Sequence, residues 1–285
     1  MTLDRRLNAV RDDLADIRLR TTIAAPRYAE GRPARVIVGR APVHRGPKPG
    51  SPLDTHYHYG ERVLVFAETR GAAWCQSCED SYVGYVSARH LAFGEAPSAT
   101  HFVANRGAYT YRVPDLGADP LDFLPRHSPV AVAESGIVTR DTAYARLDNG
   151  GFLPESCLAN EPPRSADIAA AASLYLGCPY LWGGRSFLGL DCSGLVQQAF
   201  RDFGIAVPRD TDMQRETIGR PVAVTRLTDL RRDDLIFIPG HVMIYAGKGR
   251  VVHAYGGGMA VRDDRLADLM KSNGWSFVRF AVRRP

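Results

Sequence analysis

A weak internal repeat in the first half of the chain limits its fold more than any other feature. From Pro33 to Leu158, short alternating apolar runs are separated by Gly, Pro, Asp and Asn, which is the pattern of short strands and tight turns. Gly84-Tyr85-Val86 recurs as Gly151-Phe152-Leu153 at an offset of 67 residues. A fixed offset indicates that one supersecondary unit is present twice. We therefore predict two copies of a small all-β module, at residues 26–95 and 96–160.

The N-terminal segment has a helical pattern instead. Its apolar residues recur at spacings of three and four, with Asp and Arg between them, and are Leu3, Leu7, Val10, Leu14 and Ile17. This spacing places apolar side chains along one face of a helix. We predict a helical arm over residues 1–25 that packs on the rest of the molecule.

Composition excludes several classes of function. The chain has 36 basic and 31 acidic residues, a net charge of +5, and its arginines are scattered. Without a basic patch, we expect no nucleic-acid partner. No stretch approaches the roughly 18 apolar residues of a membrane span, and charges occur where the apolar part of a signal peptide would lie. Five cysteines in 285 residues do not make a disulfide framework. We therefore expect a cytoplasmic protein with no membrane span.

The second half of the chain has an α+β pattern. Asn160 to Arg164 has the composition of a linker, and Ser165 can cap a helix that runs to Gly177. A second helix is predicted from Cys192 to Gly204. Apolar strands are predicted next, at residues 235–238, 241–246 and 250–255. Helices followed by antiparallel strands define an α+β domain, which we place at residues 161–285.

The segment before the second helix carries the chemistry. Gly183 and Gly184 allow a tight turn, and Cys192 falls in the first turn of the helix. Free amides at a helix start stabilise a thiolate, so we expect the pKa of Cys192 to be lowered. The amides of Cys192 and Ser193 can also bind the oxyanion of a tetrahedral intermediate.

Two histidines are predicted to lie beside each other on one hairpin. If Gly247-Lys248-Gly249 is a three-residue turn, Ala246 pairs with Arg250 and His253 lies opposite Met243. His241 and His253 are then diagonal neighbours on one face, roughly 7–8 Å apart at the backbone. Taken singly, a buried cysteine or a strand histidine is more often structural than catalytic. The combination favours a cysteine nucleophile with a histidine base and a second histidine that orients it.

A metal site is the alternative use of the cysteines. Cys75 and Cys78 have the spacing of zinc ligands, but no second pair follows to complete four ligands. We expect no metal and no cofactor.

These motifs resemble a known family. Asp191-Cys192-Ser193-Gly194 follows Tyr180-Leu181-Trp182-Gly183-Gly184 and precedes Gly240-His241-Val242 and Val252-His253-Ala254. Their order and spacing resemble the NlpC-type cysteine peptidases from Ser165 onward. The two modules resemble the paired bacterial SH3-like domains of one subgroup, the γ-D-glutamyl-L-diamino acid endopeptidases. We therefore expect an α+β chain, in which a papain-like peptidase domain follows a helical arm and two SH3-like barrels.

The resemblance implies a role for each matching residue. Cys192 resembles the nucleophile, His241 the general base and His253 the orienting residue, while Tyr180 resembles a tyrosine that assists the oxyanion hole. The substrate-binding residues that it implies are Tyr82, Asp191, Ser193, Glu61, Thr211 and Trp182. Tyr82 resembles a tyrosine of the first SH3-like domain that binds the free α-amine of an N-terminal L-alanine. Packing within its own barrel is the alternative for Tyr82.

The implied reaction is hydrolysis of the γ-D-glutamyl-diamino acid bond in murein tripeptides or tetrapeptides with a free N-terminal L-Ala, in cell-wall peptide recycling. Two alternatives stay open. One is a wall-remodelling endopeptidase that acts on intact peptidoglycan. The other is a catalytically inert protein that binds murein peptides. The sequence leaves the oligomeric state and the accepted diamino acid open.

Overall fold

The computed structural model describes residues 3–94 and 97–285 and divides into two compact units, residues 1–163 and 164–285. The first unit consists of short strands, and the second combines helices with a larger sheet. No helix in the described part of the chain is long and apolar enough to span a membrane.

The first unit begins with nine strands: β1 (Ala15–Asp16), β2 (Tyr28–Ala29), β3 (Arg32–Val36), β4 (Arg40–His44), β5 (Leu53–His58), β6 (Arg62–Thr69), β7 (Ala72–Ser77), β8 (Val83–Ser87) and β9 (Leu91–Phe93). The last seven form the first module, an antiparallel sheet in the order β5-β4-β8-β7-β6-β3-β9. Alternate residues of these strands, such as Val63 and Val65, are buried in one core. This is the period-two burial that strand geometry imposes.

The second module repeats the pairing of the first. Its strands are β10 (His101–Val103), β11 (Ala108–Tyr111), β12 (Pro120–Leu124), β13 (Pro129–Val130), β14 (Val132–Thr139), β15 (Thr142–Leu147), β16 (Phe152–Pro154) and β17 (Leu158–Ala159). β4 pairs with β5 and β8, and β11 pairs with the corresponding β12 and β16. β3 pairs with β9, and β10 pairs with β17. The strand pairing of the first module therefore recurs in the second, while the predicted module bounds at residues 26–95 and 96–160 stay a prediction.

One aromatic side chain from the first module is buried in the core of the second. Tyr59 follows β5 of the first module but is buried in the core of the second, with Val103, Leu124 and Leu147. Asn149 of the second module donates a hydrogen bond to its hydroxyl at 3.1 Å.

The predicted N-terminal helix is wrong. Residues 3–14 form turns and an isolated bridge, followed by β1 and a single 3-10 turn at Ile17–Leu19. Asp4 closes the first turn, since its carbonyl accepts from Leu7 and its carboxylate from the amide of Arg6. Tertiary packing then overrides the helical spacing, because Leu14 packs against Phe66 and Trp74 of the first module. Ile17 stays 44% exposed.

The second unit is an α+β sandwich. Its helices are α1 (Ile168–Ser173), α2 (Cys192–Arg201), α3 (Thr211–Thr217) and α4 (Leu266–Asn273). Its strands are β18 (Arg185–Ser186), β19 (Gly189–Leu190), β20 (Arg220–Val222), β21 (Leu235–Ile238), β22 (His241–Gly247), β23 (Arg250–Tyr255), β24 (Ala260–Arg265) and β25 (Ala281–Arg284). The main sheet has the order β20-β25-β21-β22-β23-β24. Helices α1 and α2 share one core with this sheet, and α4 shares another.

The first helix of this unit begins later than predicted. Asp167, rather than Ser165, caps α1 by accepting from the amide of Ala170 at 2.7 Å. The hydroxyl of Ser165 instead donates to the Asp202 carboxylate. A carboxylate two residues further along therefore takes the capping position, as Asp does readily.

The histidine hairpin has the predicted alignment but a different turn. Ile244 pairs with Val252 and Tyr245 with Val251, which places Met243 opposite His253 as predicted. The register then shifts, so Gly247 pairs with Arg250. Lys248 and Gly249 alone form the turn, both with positive φ, as a two-residue hairpin loop requires. Ala246 is therefore an unpaired bulge residue between the pairs Tyr245–Val251 and Gly247–Arg250.

Candidate active site

Two glycines let the start of helix α2 pack directly on the preceding loop. A Cβ atom on Gly194 would lie 2.1 Å from the carbonyl oxygen of Gly184, which no side chain can tolerate. Gly183 has a positive φ of 76°, a conformation that glycine adopts at little cost. The Gly-Gly motif and the Ser-Gly motif therefore fit together as one backbone contact.

A buried ion pair fixes the start of α2. Asp191 caps the helix by accepting from the amide of Gly194 at 2.8 Å, and its second oxygen accepts from Gly183 at 2.8 Å. Arg209, only 1% exposed, donates to both oxygens at 3.0 and 2.5 Å. Arg209 also donates to the hydroxyl of Ser193 at 2.7 Å. A bidentate partner and several further bonds are what a buried carboxylate requires.

The thiol of Cys192 is buried at the first residue of α2. Burial raises its pKa to about 11, and the negative charge of Asp191 acts in the same direction. Bonds from the amides of Val242 and Ser193 lower the pKa by less. The predicted lowering is therefore wrong for the resting protein, because desolvation outweighs the helix-start amides.

The two histidines are in direct contact. His241 Nε2 lies 2.9 Å from His253 Nδ1, with the ring centroids 5.1 Å apart. His253 Nε2 lies 3.2 Å from the Oδ2 atom of Asp264. His241 is the first residue of β22 and directly precedes Val242, whose amide donates a hydrogen bond to the Cys192 sulfur. The hydrogen-bonded series from His241 through His253 to Asp264 therefore begins beside the nucleophile.

The histidine tautomers follow from these bonds. An ionised carboxylate only accepts, so Asp264 requires a proton on His253 Nε2. His253 Nδ1 is then the acceptor, and His241 donates to it from Nε2. The lone pair of neutral His241 is left on Nδ1. Burial lowers the pKa of His241 to about 3, with the charge of His253 adding to it, so His241 is neutral at pH 7.

Tyr180 lies close to the thiol. It is half-buried, and its ring packs over Gly256, where an added Cβ would be 3.6 Å from the ring. Burial raises its pKa to about 12, and the charge of Cys192 contributes in the same direction. A neutral hydroxyl near a reacting thiol can donate to a developing oxyanion.

Two sequence profiles match the chain. The NlpC/P60 family matches residues 177–284, which contain Cys192, His241 and His253. The bacterial dipeptidyl-peptidase SH3 domain matches residues 43–91. The chain carries an NlpC/P60 cysteine peptidase domain.

Two curated relatives and one solved structure align over most of the chain. Dipeptidyl-peptidase 6 of Lysinibacillus sphaericus is 28% identical over 82% of this chain and 91% of its own. The γ-D-glutamyl-L-lysine dipeptidyl-peptidase of Bacillus subtilis strain 168 is 27% identical over 71% and 72%. A crystal structure of an NlpC/P60 family protein from Bacillus cereus ATCC 10987 superimposes with a TM-score of 0.70 at 20% identity, covering 88% of this chain and 99% of that one. The predicted papain-like α+β fold with an SH3 domain is confirmed.

Three other predicted substrate residues lie in the NlpC/P60 domain. Ser193 is buried and bonded to Arg209, and half-buried Thr211 begins α3. Trp182 is 64% exposed on the loop before Gly183. Their contact with substrate stays a prediction.

Tyr82 and Glu61 belong to the first unit, where both border Tyr57. The hydroxyl of Tyr57 donates to the carbonyl of Tyr82 at 2.8 Å. Burial, followed by the charges of Cys75, Asp80 and Glu61, raises the pKa of Tyr57 well above its usual value. Tyr82 is 4% exposed and Glu61 is 1% exposed. The predicted binding of the substrate amine by Tyr82 and the predicted substrate contact of Glu61 stay predictions.

Cys75 and Cys78 differ in their exposure to solvent. Cys75 is buried in the core of the first module, and Cys78 is exposed. No group of three or more metal-ligating side chains occurs in residues 3–94 and 97–285.

Sequence reasoning missed two residues of this site, Arg209 and Asp264. Arg209 is a single charged residue in a loop, a type that is usually exposed. Asp264 could have been found only from the register of β24, in which Arg262 lies opposite His253.

Proposed function

We propose that this protein is a cysteine endopeptidase that hydrolyses the γ-D-glutamyl-diamino acid bond of murein peptides with a free N-terminal L-Ala, in the recycling of cell-wall peptides in the cytoplasm. The observation that carries the peptidase reaction is the hydrogen-bonded pair of His241 and His253 next to the thiol environment of Cys192. The substrate is supported by the relative named γ-D-glutamyl-L-lysine dipeptidyl-peptidase, which aligns over most of both chains.

The proposed mechanism has two steps. In the first, Cys192 Sγ attacks the γ-carbonyl carbon while His241 Nδ1 takes the thiol proton. The C–N bond breaks, that proton goes to the leaving amine, and a thioester remains. In the second, a water molecule attacks the thioester, giving its proton to His241, which returns it to the thiolate. His253 holds the His241 ring, and Tyr180 with the amides at the start of α2 binds the oxyanion.

Removal of an N-terminal dipeptide requires a binding site that recognises a free amine. A buried ammonium needs acceptors, and a carboxylate is the strongest. Both oxygens of Asp191 already accept from Arg209 and from backbone amides, so an ammonium would have to share them. Tyr82 is the further candidate that the family resemblance supplies, and Glu61 is implied only as another substrate contact.

The first test uses three forms of L-Ala-γ-D-Glu-L-Lys. Acetylation of the alanine amine removes the positive charge, so we expect kcat/KM to fall on the order of ten- to a hundred-fold. Acetylation of the lysine side-chain amine is the matched control and should have a smaller effect. Equal rates on the free and N-terminally acetylated peptides would overturn the dipeptidyl specificity and favour action on intact peptidoglycan.

A second test concerns the nucleophile. Cys192→Ala should abolish hydrolysis of the free peptide, because no other group replaces the thiol. Cys178→Ala is the matched control, since Cys178 is buried in the same core. We expect Cys178→Ala to keep activity, measured as the initial rate of lysine release. Absence of turnover by the wild-type protein on all peptides would instead favour an inert peptide-binding protein.

A further inference from the structure

A carboxylate lies behind the second histidine. In the hairpin of β23 and β24, Arg262 pairs with His253 and Asp264 with Val251, so Asp264 is the diagonal neighbour of His253. The Asp264 Oδ2 atom lies 3.2 Å from His253 Nε2. His253 is fully buried, and the side chain of Asp264 is 18% exposed.

A guanidinium group holds this carboxylate in place. Arg262 donates from Nε to Oδ2 and from its terminal nitrogen to Oδ1, each at 2.9 Å. This is the bidentate geometry that fixes the plane of a carboxylate. Burial alone would raise the pKa of Asp264, but the bonds from Arg262 and His253 lower it below its usual value.

We propose that Asp264 is a positioning residue for the peptidase reaction, which sets the tautomers of both histidines through a chain of hydrogen bonds that ends at His241 Nδ1. This inference rests on the proposed function. An ionised Asp264 accepts only, so it keeps the proton of His253 on Nε2 and leaves Nδ1 as an acceptor. His241 then donates from Nε2, and its Nδ1 lone pair stays free to take the thiol proton.

Removal of the carboxylate would reverse this chain. In Asp264→Ala, His253 Nε2 loses the acceptor that holds its proton. His253 then keeps its proton on Nδ1 and donates to His241 Nε2, so the His241 proton moves to Nδ1 and this atom can no longer take the thiol proton. The amide of an Asn side chain would not have this effect, because its oxygen at the place of Oδ2 still accepts from both Arg262 Nε and His253 Nε2. A wrong tautomer in a triad of this kind lowers kcat while the geometry is kept.

The chain offers a matched control on the adjacent residue. Asp263 also bonds an arginine, since Arg250 Nε donates to it at 2.8 Å, but successive strand residues point to opposite faces. We expect Asp264→Ala to lower kcat on the order of ten- to a hundred-fold with little change in KM, as loss of the outer partner of a functional histidine does. Asp263→Ala should leave kcat within about twofold. Equal kcat values for the two variants would overturn the inference.

A second measurement is independent of turnover. Long-range 1H–15N spectra of protein with 15N-labelled histidine report which ring nitrogen carries the proton. We expect His253 to be protonated on Nε2 in the wild type and in Asp263→Ala, and on Nδ1 in Asp264→Ala. A lower kcat with the His253 tautomer unchanged would also overturn the inference. Inactive wild-type protein that shows the expected tautomers would contradict the proposed function alone.

Discussion

The resting site holds a neutral thiol beside a neutral imidazole. The pKa of Cys192 is raised to about 11 and that of His241 is lowered to about 3, so neither group is charged at pH 7. Burial is the main cause in both cases and disfavours the charged form of each. Deprotonation of the thiol is therefore expected to accompany attack on the substrate rather than precede it.

This state predicts how Cys192 reacts with iodoacetamide. Only the thiolate is alkylated, and its fraction rises about tenfold per pH unit below the pKa. We expect the alkylation rate at Cys192, measured by peptide mass spectrometry, to keep rising from pH 6 to pH 9. A plateau reached below pH 7 would contradict the neutral pair and indicate a preformed thiolate.

At the scale of single residues, the sequence predicted those site residues whose positions depend on a nearby helix start or on pairing within one hairpin. Cys192 follows a glycine turn at a helix start, and the contact between His241 and His253 follows from strand pairing alone. Arg209 reaches Asp191 from 18 residues away and Asp264 depends on a separate turn. Such contacts between distant segments leave no periodic signal in a single sequence.

The start of α2 is fixed by a contact between two backbones as well as by the ion pair of Asp191 and Arg209. Gly194 lies in the first turn of this helix, where glycine is normally less stable than alanine. Here the carbonyl of Gly184 occupies the space of a Cβ atom. Helix propensity therefore favours alanine at this position, while packing excludes it.

In Gly194→Ala, we expect the cost of the steric overlap to exceed the gain in helix propensity. Backbone overlap of this kind costs about 1–3 kcal/mol, more than the propensity gain, so we expect the free energy of unfolding to fall. Displacement of Cys192 should also lower kcat, by up to on the order of a hundred-fold for a shift of about 1 Å. Gly117→Ala is the control, since an added Cβ there is 3.4 Å from a flexible side chain. Urea unfolding and initial rates on the free peptide would measure both effects.

At the scale of elements, periodicity predicted the strands of both units and α2, but failed for the N-terminal segment. Leu14 satisfies a helical spacing, yet it is buried against Phe66 and Trp74 in a segment without helix. Asp4 closes the turn at residues 4–7 with its own side chain, an alternative that competes with helix formation. Spacing alone cannot reveal such a competing contact.

On the scale of the whole molecule, each unit has hydrophobic cores of its own. Leu153 is buried in the second module of the first unit, and Leu195 is buried between α2 and the sheet of the second unit. The division falls at Pro163, within the predicted linker. We therefore expect calorimetry to show more than one unfolding transition.

Matched substitutions should assign these transitions. Leu153→Ala and Leu195→Ala each remove a fully buried side chain and should cost about 2–5 kcal/mol in their own unit. Only Leu195→Ala should shift the transition that coincides with thermal loss of peptidase activity. A single transition that both variants lower equally would mean that the two units unfold together.

The burial of Tyr59 says something about the history of the two β modules. Duplicated segments begin as interchangeable copies, but here a side chain of the first copy completes the core of the second and accepts a bond from Asn149. The second module is therefore no longer structurally independent of the first. If the second module were produced without Tyr59, the apolar side chains that contact this ring would be exposed to solvent. If both modules were transferred together, Tyr59 would still cover them.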